Sequence, residues 1–295
     1  MSATLQRSLE LSEQTKTKRG TGEPARPRTP PGNPQPATPS RRLLSHLGLA
    51  PEAPSLDYLD RLVREHQLRV PFETLTKLLD YEPGLRSGCF LPHPELYVDR
   101  IVRHGAGGVC WTLARGFHSL LVELGFDASL MMMNPGHCCV RVELPEGPYY
   151  ADVGYAAPLF RAHPLFESFA LATHREAFDY RVRPEGIVVT RRPGPTKQLD
   201  PTPRRLEDLT AHIAAANDWS VPHSFLHRLI YARTVGGVFT SFRDGTLTRH
   251  APDGPEVTAV DATAAPRVLA QVFGVDPDLY RAAEAVRMRY GRPPA

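Results

Sequence analysis

Apolar residues recur at helical spacing in the first half of the chain and at alternate positions in much of the second. Leu56, Leu59, Leu62, Val63 and His66 fall on one helical face, and Ser55 stands where a cap belongs. Val70-Pro71-Phe72-Glu73-Thr74-Leu75 interrupts that pattern, because a proline pushes the preceding residue out of the helical region. The Pro- and Gly-rich stretch 81–94 reads as irregular, and a short helix is expected over 94–102. Leu113, Phe117, Leu120, Leu121 and Leu124 form a stripe predicting a helix from Cys110, with Gly125 just past its end. Helix is thus expected from Arg42 to about Leu124.

From Phe126 the period becomes two. Strands are expected at 128–133, 138–144 and 149–153, the last two joined by a turn at Pro145-Glu146-Gly147-Pro148. Further strands are expected at 178–182 and 186–190, a helix at 206–217, strands at 226–234 and 237–243, and helices at 264–273 and 276–290. No internal repeat is visible.

Composition changes the picture at the N-terminus. The chain has 295 residues and 30 prolines, many of them in the first forty-two. That segment is aromatic-free and carries a charge of +5 against +3 for the whole chain, leaving about −2 for the rest. Such a segment buries too little apolar area to offset its ordering entropy, so residues 1–41 are expected to be a disordered basic tail. The remainder then offers no basic face for nucleic acid. The N-terminus lacks the apolar stretch of a signal peptide, and no run approaches the length of a membrane span. With Cys89, Cys110, Cys138 and Cys139 and no CxxC pair, the expectation is a cytoplasmic protein without a structural zinc site.

The candidate chemistry starts at Cys110, which follows Gly105-Ala106-Gly107-Gly108-Val109 and opens a helix. A thiolate is the nucleophile, and the unpaired N–H groups of a helix start favour an anion there. His137 follows in Gly136-His137, and Asp152 in Tyr150-Ala151-Asp152-Val153-Gly154-Tyr155. Taken singly, each residue has an ordinary structural use. The order Cys…His…Asp is that of an acyl-transfer triad in which the histidine is base and the aspartate orients it. A four-residue turn at 145–148 pairs 141 with 152, which puts His137 and Asp152 on one face but about 13 Å apart along the sheet. A bulge, a twist or another register has to close that gap.

These motifs resemble those of the arylamine N-acetyltransferases. The segment from Leu56-Asp57-Tyr58-Leu59 to Val70-Pro71-Phe72-Glu73-Thr74-Leu75 is similar to the family's segment ending in PFENL, and Gly107-Gly108-Val109-Cys110-Trp111 to its nucleophile motif. Leu124-Gly125-Phe126-Asp127 resembles the end of its nucleophile helix, and His137 with Asp152-Val153-Gly154-Tyr155 its His and Asp-Val-Gly-Phe-Gly pair. Ser224-Phe225 and Val235-Gly236-Gly237 fall where related motifs stand. The resemblance spans about residues 42–290. It implies an α+β fold in a cysteine-protease-like arrangement: a helical bundle over 42–125 carrying Cys110, an antiparallel β-barrel-like domain over 126–220 carrying His137 and Asp152, and a C-terminal α/β lid over 221–295. It also implies ping-pong acyl transfer from acetyl-CoA or another acyl thioester, as co-substrate rather than bound cofactor, to a small-molecule arylamine or hydrazine.

Ala106 stands where the family has Arg, Thr112 where it has Glu, Ala114 where it has Asn, and Ala156 and Ala157 after the Asp-Val-Gly-aromatic motif. The segment from Cys110 to His137 is shorter than in typical members. These departures leave room for an amide synthase that takes its acyl chain from an acyl carrier protein. A cysteine hydrolase and an inactive binding protein remain as alternatives. Cys138, on the strand face opposite His137, and Met131-Met132-Met133 read as core, and Glu73 as a hydrogen-bonding residue within the bundle.

Overall fold

Helices come first along the chain and sheets after them. The computed structural model describes residues 38–155, 158–222 and 224–291. The expected tail, up to residue 37, lies outside these residues, as do Ala156 and Ala157. The first helix, α1 (Pro39–Leu47), begins inside the segment assigned to the tail, with Pro at its first turn and the Thr38 hydroxyl accepting from Arg41 N–H. It is followed by α2 (Leu56–Arg69), β1 (Phe72–Glu73), α3 (Leu75–Leu79), α4 (Tyr81–Ser87), α5 (Pro94–His104) and α6 (Cys110–Glu123). Helix α4 takes up the first half of the stretch expected to be irregular at 81–94, and residues 88–93 lie outside helix and strand. Pro83 lies in its first turn, where a missing N–H costs nothing, and Gly88 ends it in the left-handed conformation.

Next come β2 (Asp127–Asn134), β3 (His137–Leu144), β4 (Gly147–Ala151), β5 (His163–Pro164), β6 (Phe169–Ala172), β7 (Ala177–Arg183), β8 (Gly186–Arg192) and β9 (Thr196–Arg204). Among the described residues they form an eight-stranded antiparallel sheet, in the order β5-β4-β3-β2-β9-β8-β7-β6. The sheet curls until the His163 ring on β5 stacks on the Phe169 ring on β6, 3.8 Å between centroids. Strand β9 was not among the expected strands; it carries Pro201 and Pro203, which the sheet takes in where the β2–β9 register shifts between Leu130 and Met132.

The chain continues through α7 (Thr210–Ala215) to β10 (Ile230–Val235), β11 (Val238–Arg243), β12 (Thr246–Ala251), β13 (Gly254–Ala259), α8 (Ala265–Phe273) and α9 (Pro277–Tyr290). The expected strand at 226–234 starts only at Ile230, since residues 225–227 form a 3₁₀ turn. Strands β12 and β13 were missed: β13 has a fully solvated face and β12 is only half-buried, so neither shows strong alternation. The second sheet runs β1-β10-β11-β12-β13, so the short Phe72–Glu73 strand ties the helical region to the C-terminal elements.

Three apolar clusters hold these layers. In the first, the α6 stripe of Leu113, Phe117, Leu120 and Leu121 packs on the face of β2–β4 that shows Leu130, Cys138, Val140 and Val142. The second joins α3, β10, β11, α8 and α9 through Leu78, Tyr231, Phe242, Phe273 and Tyr280. The third fills the inside of the curl with Met131, Met133, Cys139, Tyr150, Phe178 and Tyr180. Cys138 and the three methionines are therefore core, as their strand positions indicated. Each buried Leu or Phe stabilises the fold by roughly 1.5–3 kcal/mol, so the α6 stripe fixes the start of that helix firmly.

Candidate active site

Helix α6 begins at Cys110, and the residue before it, Val109, provides no side-chain cap. The thiol stands where the first-turn N–H groups lack a side-chain acceptor, a setting that favours a thiolate. The preceding loop is pinned by the Pro71-Phe72-Glu73 segment. Glu73 N–H donates to Gly108 O at 3.0 Å, and Gly107 N–H donates to Glu73 Oε1 at 3.1 Å. The same fully buried carboxylate accepts from Thr76 N–H at 2.9 Å and Thr76 O–H at 2.6 Å. Gly107 has to be glycine, since a Cβ there would lie 2.0 Å from Pro71 O. Two motifs separate in sequence thus form one support for the Cys110 position. Ala106 is buried in the second apolar cluster, and Thr112 packs against Gly108.

His137 opens β3 and faces Cys110. The β3–β4 hairpin turns on two residues, Pro145-Glu146, and pairs Leu144 with Gly147 and Arg141 with Tyr150. The expected four-residue turn was wrong because Pro148 serves as a strand residue near the start of β4, opposite Glu143, where its missing N–H is tolerated. The observed register, extended one residue past Ala151, sets Asp152 opposite Cys139. That places Asp152 two residues from His137, about 7 Å along the sheet. Side chains span this: His137 Nε2 lies 2.7 Å from Asp152 Oδ2, with both residues buried.

Asp152 is itself held on every side. Its Oδ2 also accepts from the Tyr150 hydroxyl at 2.6 Å, its Oδ1 accepts from Gly154 N–H at 2.8 Å, and its backbone carbonyl accepts from Gln67 Nε2 at 2.9 Å. Burial pushes the Tyr150 phenol far up, which keeps it a donor. The Tyr155 ring stacks on the His137 imidazole at 4.0 Å, 18° from parallel. Gly154 closes the corner, where a Cβ would lie 2.8 Å from Cys110 Cβ and 3.1 Å from His137 Cε1. Cys110 Sγ is also 4.0 Å from Gly136 O.

The electrostatics favour charge separation across the pair. Burial raises the Cys110 thiol, but the His137 imidazolium, a hydrogen bond to it and the Cys138 backbone N–H bring it below the ordinary value. Burial lowers His137, but the Asp152 and Cys110 charges and their hydrogen bonds prevail and push it up to about 9. Two further cations were not found from sequence. Lys77, on α3, donates to Ala216 O and Asn217 Oδ1 and is lowered by burial to about 8. Lys197, on β9, donates to Pro135 O at the β2–β3 turn. Gln67, Tyr150, Tyr155 and Gly154 were likewise not picked out as site residues. Tyr150 and Asp152 share strand parity, which is the one sequence signal that pointed there.

A family model described as N-acetyltransferase matches residues 55–280. The class is therefore acyltransferase. The chain belongs to the arylamine N-acetyltransferase family. It is similar to proansamycin X synthase of Amycolatopsis mediterranei (strain S699), 29% identical over 129 residues, which cover 40% of this chain and 48% of that protein. The chain thus spans about half the length of that curated relative. Its fold is similar to that of Mycobacterium marinum arylamine N-acetyltransferase, with a TM-score of 0.70 and 21% identity over 85% of this chain and 99% of that one. A second structure of the same protein, in complex with CoA, matches with a TM-score of 0.68 and 21% identity over 85% and 98%. Among the described residues, no helix is long and apolar enough to cross a membrane.

Proposed function

We propose that the chain transfers an acyl group from an acyl-CoA thioester to an arylamine, hydrazine or related amine through Cys110, with His137 as the proton carrier and Asp152 as its orienting carboxylate. The observation that supports this reading best is the buried contact of His137 Nε2 with Asp152 beside a thiol at an uncapped helix start. The Cys110 thiolate attacks the thioester carbonyl, and the departing CoA sulfur takes the imidazolium proton. The amine then attacks the acyl-cysteine, gives its proton to His137, and Cys110 leaves again as thiolate. The relative with CoA bound supports the choice of donor.

Mixing the protein with acetyl-CoA and recording the intact mass tests the reading. One acetyl group should appear on wild-type protein and none on Cys110→Ala. A second reading, an amide synthase fed by an acyl carrier protein, draws on the similarity to proansamycin X synthase and on Ala106 and Thr112 at the departing motif positions. No acetyl adduct from acetyl-CoA, but acylation from a carrier-bound thioester, would favour it.

A further inference from the structure

Behind the imidazole lies a second layer of charge. Glu176, just before β7, is almost fully buried, and two guanidinium groups converge on its carboxylate. Arg191 Nε, from β8, donates to Glu176 Oε2 at 2.5 Å, and Arg175 pairs with the same carboxylate. Thr173 fixes Glu176 from its own loop: Thr173 N–H donates to Glu176 O at 2.8 Å, and Glu176 N–H donates to Thr173 Oγ1 at 3.2 Å. The other arm of Arg191 reaches the catalytic corner. Its Nη1 donates to Tyr155 O at 3.1 Å, and its guanidinium carbon lies 5.4 Å from the centre of the Tyr155 ring. Tyr155 is the residue whose ring stacks on His137.

Burying an ion pair is a poor way to gain stability, because desolvation offsets most of the attraction. A planar fork that bonds a carboxylate on one side and a carbonyl on the other fixes geometry instead. We propose that Arg191, anchored by Glu176, is a positioning residue that holds the Tyr155 ring against the His137 imidazole and so keeps the imidazole aimed at Cys110. Within the third apolar cluster the ring also approaches Phe178 edge-on at 5.8 Å, and its hydroxyl bonds weakly to Met133 Sδ at 3.7 Å, contacts that pack the ring but do not set its angle to the imidazole as the Arg191 fork on its carbonyl does. A π face also favours a cation stacked on it, so a ring held in place sustains the imidazolium form of His137. The role rests on the reading of Cys110 and His137 given under Proposed function. The other ionisable groups around that corner are Asp152, Tyr150, Cys138, Cys139, Lys77 and Lys197, all left intact in the variants below.

The test is the pH dependence of Cys110 alkylation by iodoacetamide on the full chain, with exposed Cys89 as internal standard. Arg191→Met should slow Cys110 about 5- to 10-fold at pH 6 and shift its profile to higher pH, while Arg191→Lys keeps part of the rate. The sign decides between roles. Loss of a nearby positive charge, acting alone, would favour the imidazolium and speed alkylation. Tyr155→Leu should reproduce the defect without touching the ion pair, which covers the case of an Arg191 variant that does not fold. An unchanged or faster Arg191→Met beside a reactive wild-type Cys110 overturns the positioning role alone. A wild-type Cys110 no faster than Cys89 at pH 6 overturns the catalytic reading and this role with it.

Discussion

Gly154 touches the Cys110 backbone: a Cβ on Gly154 would lie 2.8 Å from Cys110 Cβ and 3.0 Å from its Cα. The neighbour on the other side is His137 Cε1, at 3.1 Å. No flexible chain end is available to move, so Gly154→Ala forces the cysteine and the imidazole apart. A displacement of that order costs about 10²-fold in rate when it falls on reacting groups. Acetylation of the Gly154→Ala protein by acetyl-CoA should slow by that much while its thermal midpoint stays within a few degrees. A wild-type rate would mean that the corner has slack.

Asp152→Asn keeps the size of the side chain and removes its charge. The amide oxygen can still accept from Tyr150 or from Gly154, which bond different oxygens of the carboxylate, so one of the two bonds survives and the fold should persist. His137 then loses the partner that orients it and favours its imidazolium. By analogy with other triads, the turnover rate should fall by about 10³- to 10⁴-fold. Steady-state kinetics with any accepted amine measures this, and full activity in the variant would remove Asp152 from the mechanism.

The pH behaviour of the thiol follows from the paired shifts. His137 is raised to about 9 and Cys110 is lowered, so the imidazolium and thiolate coexist across neutral pH. Alkylation of Cys110 should already be fast at pH 6, well ahead of that of the exposed Cys89. As the pH passes about 9, His137 loses its proton and the pair gives way to a thiolate beside neutral imidazole. His137→Gln should bring the Cys110 profile back toward that of an ordinary thiol, and a profile unchanged from wild type would separate the two residues chemically.

The three candidate residues were legible because each sits in a local motif that a linear reading detects. How His137 reaches Asp152 was not. That depended on whether Pro145-Glu146-Gly147-Pro148 spends four residues or two on its turn, and proline is ambiguous between turn and strand start. Two residues of register separate a gap of about 13 Å from one of about 7 Å. Gln67 was invisible for another reason: it comes from α2, and only tertiary packing brings its amide to the Asp152 carbonyl. The strands rich in proline or half exposed to solvent were missed because their stability comes from partners, which leave no periodic trace.

Glu73 shows what a linear reading can and cannot give. It was expected to hydrogen-bond within the bundle, and it does, but its second partner is the loop before Cys110. Glu73→Gln replaces one acceptor oxygen with a donor amide, facing either Thr76 N–H, at the Oε2 position, or Thr76 O–H and Gly107 N–H, at the Oε1 position. One buried donor pair must then clash or separate. The expected loss is about 2–4 kcal/mol of stability, measured by urea unfolding, together with slower acetylation as the loop relaxes. A loss below about 0.5 kcal/mol would show that the loop is held by its backbone bonds alone.

His66 supplies a prediction about acid rather than catalysis. Its Nε2 pairs with the Tyr97 hydroxyl at 2.9 Å, its ring meets Phe117 edge-on at 5.4 Å, and its Nδ1 has no partner. Burial, with a smaller contribution from His46, lowers it to about 3. The unfolded chain takes up a proton there below about 6.5, and the folded chain does not until about 3. Below 6.5, therefore, the unfolded state binds more protons, and stability is lost as the pH falls through that window. One proton corresponds to a slope of about 1.4 kcal/mol per pH unit. Urea unfolding between pH 4.5 and 6 should show a slope steeper by about that amount in wild type than in His66→Gln, which has no group to protonate. Equal slopes would mean that the buried imidazole takes its proton without unfolding.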